Sequence, residues 1–64
     1  MKTYEITQDG AGTYEIKAKD EEAAIREMAE GIVDSTKDWE IQFSTDSREK
    51  AIEKAMLTLS INDD

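Results

Sequence analysis

Asp20, Glu27 and Asp34 stand seven residues apart, with Glu30 between the last two. Residues three, four and seven apart lie along one face of a helix. If this stretch is helical, its outer side carries a row of carboxylates. The chemistry of such a row is electrostatic: it attracts basic surfaces and repels phosphate. The segment 20–40 holds Asp20, Glu21, Glu22, Glu27, Glu30, Asp34, Asp38 and Glu40 against only Arg26 and Lys37, a net of −6 out of −8 for the 64-residue chain. Residues 1–19 balance to zero and residues 41–64 carry −2. Arg26 is four residues from both Glu22 and Glu30, whereas Glu27 and Asp34 have no base at that spacing. Further on, Lys50 has Asp46 four residues before it and Glu53 three after it, the pattern of an ordinary solvated helix.

Other chemistries find little support. The chain has no histidine and no cysteine. That removes the commonest zinc ligands, any disulfide, and the usual general base and nucleophile. No glycine-rich phosphate loop or nucleophile elbow appears. The clusters Asp20-Glu21-Glu22 and Asp63-Asp64 lack the spaced ligands and glycine of a calcium loop. The expectation is a non-enzyme with no cofactor and no metal site. The aromatic residues fall on alternating positions that read as core rather than as a base-stacking platform, which needs surrounding positive charge.

Positioning the row requires a fold. Thr3-Tyr4-Glu5-Ile6 returns as Thr13-Tyr14-Glu15-Ile16, with Asp9-Gly10-Ala11-Gly12 between the two copies. Period two around a turn signal predicts a β-hairpin whose arms present Tyr-x-Ile to one core. With Gly12 in the left-handed region of a three-residue loop, Asp9 pairs with Thr13, Ile6 with Ile16 and Tyr4 with Ala18. That register sets Glu5 against Lys17 and avoids Glu5 against Glu15, a like-charge pair. Asp20 is a good N-cap with Glu21 and Glu22 in the first turn. Ala24, Ile25, Met28, Ala29 and Ile32 keep helical spacing, so the helix runs through Gly31 to about Ser35. Trp39, Ile41 and Phe43 alternate and predict a third strand. Asp46, with Glu49 three residues on, resembles a capping box before a second helix marked by Ile52, Ala55, Met56 and Leu59. Leu57–Ile61 also alternates and reads equally as a short strand. The expected architecture is a single α+β domain over 1–64: a two-layer β-β-α-β-α fold, its three-stranded antiparallel sheet in the order 2-1-3, with two helices on one face.

A 64-residue chain buries only about 60% of the surface its unfolded form exposes. The chain is therefore expected as a monomer or a homodimer. The N-terminus lacks the apolar run of a signal peptide, and no apolar stretch is long enough to span a bilayer. The chain reads as soluble and cytoplasmic, without membrane or direct nucleic-acid contact.

In size, charge and compactness, with an acidic outer helix over Asp20–Asp34, the chain resembles the small phage anti-CRISPR proteins that mimic DNA. Residues 17–25, Lys-Ala-Lys-Asp-Glu-Glu-Ala-Ala-Ile, are also similar to the strand-to-helix junction of small DpnD-like phage and plasmid proteins. The first resemblance implies an inhibitor acting in a bacterial host cell. Its partner would be the basic DNA-binding surface of a CRISPR effector or similar protein. Asp20, Glu27, Glu30, Asp34 and Asp38 would form the contact, standing in for phosphates. Duplex DNA carries one phosphate per about 3.4 Å on each strand, and a helix rises about 1.5 Å per residue, so the linear charge densities are comparable. The alternative is an acidic accessory or assembly module of a phage or plasmid, self-associating and with no nucleic-acid-related activity.

Overall fold

The computed structural model describes residues 1–62. Strands β1 (Lys2–Gln8) and β2 (Gly12–Ala18) form a hairpin. Helix α1 (Glu21–Ser35), the single turn α2 (Trp39–Gln42) and helix α3 (Arg48–Met56) follow, and β3 (Leu59–Ile61) completes the sheet. The fold is α+β, with a three-stranded antiparallel sheet in the order β2-β1-β3. The chain order is β-β-α-α-α-β rather than β-β-α-β-α.

The third strand is therefore not Trp39–Phe43. In a strand, positions 39, 41 and 43 face the same way; in a helix, 39 and 43 share a face and 41 opposes them. Trp39 and Phe43 are partly buried while Ile41 is 78% exposed, the helical outcome. The turn is closed at its C-terminal end by paired bonds, Thr45 N–H to the Glu40 carbonyl at 3.1 Å and Ser44 N–H to the Ile41 carbonyl at 3.3 Å. This is a Schellman closure, and it holds Ser44 at φ +54°. The vacant place beside β1 goes to Leu59–Ile61, which buries Leu59 and sets Ile61 opposite Ile6.

The hairpin register also differs from expectation. Tyr4 faces Ile16, Ile6 faces Tyr14, and Glu5 faces Glu15. Ala11 N–H bonds to the Gln8 carbonyl at 3.0 Å, which places Gly10 at the turn position that takes positive φ. Gly10 adopts +79° and Gly12 +105°, so both glycines supply conformations costly to other residues. The charge argument loses because Glu5 and Glu15 are both solvent-exposed, where water and salt weaken repulsion. A two-residue slide keeps every side chain on its original face. It gains a Thr7–Thr13 hydroxyl contact of 3.0 Å, while Thr7 also donates to Asn62 Oδ1 at 3.1 Å. Tyr14 now lies opposite Ile6 rather than Gln8, and it is 48% exposed rather than in the core.

Helix α1 begins at Asp20, whose carboxylate accepts the Ala23 N–H at 2.8 Å, and continues through Gly31 as the periodicity predicts. It lies against all three strands, and α3 packs mainly on α1. Four fully buried alanines, Ala24 and Ala29 on α1 and Ala51 and Ala55 on α3, let these elements approach closely. Ile6, Val33 and Ile52 are the largest fully buried side chains. Ser47, not Asp46, caps α3, accepting the Lys50 N–H at 3.4 Å. The opposite face of the sheet carries Thr3, Glu5, Thr7, Thr13, Glu15 and Lys17 and is covered by no helix among the described residues.

Candidate functional site

The seven-residue spacing does align Asp20, Glu27 and Asp34 on the side of α1 turned from buried Ala24, Met28, Ala29 and Val33. Their surroundings differ. Asp20 is occupied as the N-cap of α1. Asp34 receives a forked guanidinium from Arg48 of α3, whose Nη2 lies 2.8 Å from Oδ1 and 2.9 Å from Oδ2, with Nε 3.1 Å from Oδ1. Glu30 meets Arg26 Nε at 3.1 Å, and Arg26 Nη2 reaches Glu49 of α3 at 2.9 Å. The hydrogen bond that Arg26 donates to Glu49, with the charges of Glu49 and Glu30, holds the Arg26 guanidinium above its ordinary range. Asp38 is exposed and precedes α2; its carbonyl accepts the Ile41 and Gln42 N–H groups, while its carboxylate caps nothing. Glu27 is exposed and has no ion-pair partner among the described residues.

The stripe therefore has a neutralised flank and an open one. Asp34 is held by Arg48 of α3, and Glu30 by Arg26 of its own helix, which also reaches Glu49 of α3. Arg48 stands fourteen residues from Asp34, beyond any local spacing rule; only the packing of α3 on α1 brings it there. Of the eight acids in 20–40, six (Asp20, Glu21, Glu22, Glu27, Asp38 and Glu40) are exposed and without an ion-pair partner among the described residues. No group of three acidic side chains among the described residues converges to hold a metal ion. The Asp63-Asp64 cluster lies outside the described residues.

On the open flank, Glu27 borders a shallow groove of about 410 Å³ between α1 and the hairpin. Tyr14 and Ile16 line it from β2, and Met28, Gly31 and Ile32 line it from α1. Sequence reasoning missed this groove because it placed Tyr14 in the core. No helix among the described residues is long and apolar enough to cross a membrane. No protein-family model, curated protein or solved structure matches the chain.

Proposed function

We propose that this chain is an acidic mimic of a nucleic-acid backbone, an inhibitor that occupies the basic DNA-binding surface of a bacterial defence effector of the CRISPR kind. The observation that carries the reading is the set of six exposed carboxylates between Asp20 and Glu40 without ion-pair partners among the described residues. Accumulated negative charge of this kind opposes compaction through self-repulsion. A partner lined with lysine and arginine would relieve it, and such a partner ordinarily holds phosphates. The contact is formed by Glu27 on the open flank together with exposed Glu21 and Glu22 in the first turn of α1. Glu30 and Asp34 contribute less, because arginines of the same chain already hold them.

The experiment measures binding to purified, DNA-free CRISPR effectors as a function of salt, with duplex DNA as competitor. Affinity falls steeply with salt and duplex DNA displaces the protein. The triple change Glu21→Gln, Glu22→Gln, Glu27→Gln weakens binding more than the pair Glu30→Gln, Asp34→Asn. Binding that ignores both salt and the triple change would sink the reading.

A further inference from the structure

The free edge of β2 offers a partner-shaped set of groups. Asn62 N–H donates to the Glu5 carbonyl and Asp9 N–H to the Thr58 carbonyl, so the odd-numbered residues of β1 direct their main-chain groups toward the β3 side. Along a strand these directions alternate. The even residues of β1 therefore face β2, and their partners Tyr14, Ile16 and Ala18 face back. That leaves Thr13, Glu15 and Lys17 with N–H and C=O groups pointing outward from the sheet, a template for another strand.

We infer that a second copy of this chain docks on β2, antiparallel, about a two-fold axis through Ile16. In that register Glu15 of each copy lies opposite Lys17 of the other, and each such pair exchanges two main-chain hydrogen bonds. A two-fold axis through Glu15 or through Lys17 sets like charges face to face, and one through Tyr14 pairs Glu15 with Thr13 and leaves Lys17 beyond the partner strand. Only the Ile16-centred register gives both charges an opposite partner. Within its own sheet Glu15 faces Glu5 rather than a base. The same docking covers half-exposed Tyr14 and the groove it shares with Ile16, Met28 and Gly31. The result is a continuous six-stranded sheet with both α1 helices on one face.

Light scattering and sedimentation across a concentration series test this on the full chain, with circular dichroism as the check on folding. The native protein forms a two-chain particle. Glu15→Lys and Lys17→Glu each weaken association by about tenfold or more, because each puts like charges opposite one another at two places. The combined swap, Glu15→Lys with Lys17→Glu, restores it. A one-chain mass throughout the accessible range overturns the proposal, as does a dimer indifferent to the single reversals or not rescued by the swap. The outcome is independent of effector binding, so it fails or stands separately from the proposed function.

Discussion

Arg48 grips both oxygens of Asp34, at 2.8 and 2.9 Å, and so ties the start of α3 to the end of α1. Forked guanidinium–carboxylate pairs are the better-oriented kind of ion pair. Yet both side chains are about half exposed, and such pairs are worth at most about 1 kcal/mol. Arg48→Gln should therefore lower stability by no more than about 1 kcal/mol, read as a midpoint drop within about 8 °C by thermal circular dichroism. It takes the net charge from −8 to −9 and frees Asp34. Binding to a basic partner should strengthen, which a titration at low salt measures directly. Weakened binding would show that Arg48 itself belongs to the contact.

The cap of α1 carries a separate prediction. Asp20 accepts the Ala23 N–H at 2.8 Å, so Asp20→Ala should cost about 1 kcal/mol and Asp20→Ser most of nothing. Chemical denaturation of the two variants separates capping from charge, since both remove the carboxylate. Equal losses would mean that Asp20 acts through its charge.

Ser44 is the sole non-glycine residue at positive φ among the described residues. A glycine there avoids the side-chain cost of the left-handed region but gains freedom in the unfolded chain. Ser44→Gly should raise stability by about 0.5 kcal/mol, and Ser44→Val should lower it by about 1 kcal/mol or more. The order of the three midpoints in denaturant is the measurement.

A pair of substitutions distinguishes the helical turn from a strand at 39–43. Ile41 projects to solvent, so Ile41→Ser should change stability by less than about 0.5 kcal/mol. Ile52 is fully buried between α3 and the rest of the core, so Ile52→Ala should cost about 2–5 kcal/mol. A large loss at Ile41 would contradict the turn.

Much of this architecture is legible in the residues themselves. The repeated Thr-Tyr-Glu-Ile around a glycine turn determines a hairpin, and Asp20 with the apolar spacing from Ala24 to Ile32 determines α1, including its passage through Gly31. These are local signals: a period, a cap, a turn. The excess of acid between 20 and 40 and its alignment along one face follow from the sequence in the same way. Tertiary structure decided everything that depended on competition between distant segments. Trp39-Glu40-Ile41-Gln42-Phe43 has the alternation of a strand, but Leu59-Ser60-Ile61 takes the place beside β1 and leaves the earlier segment as a helical turn. The hairpin slid by two because backbone geometry at Gly10 and Gly12 outweighed a solvent-screened charge pair at Glu5 and Glu15. The pairing of Glu30 with Arg26 is local to α1, but the pairing of Asp34 was settled from outside the helix, by Arg48 arriving on α3. Side-chain period and capping are properties of neighbours along the chain; strand partners and ion pairs between helices belong to the packed whole.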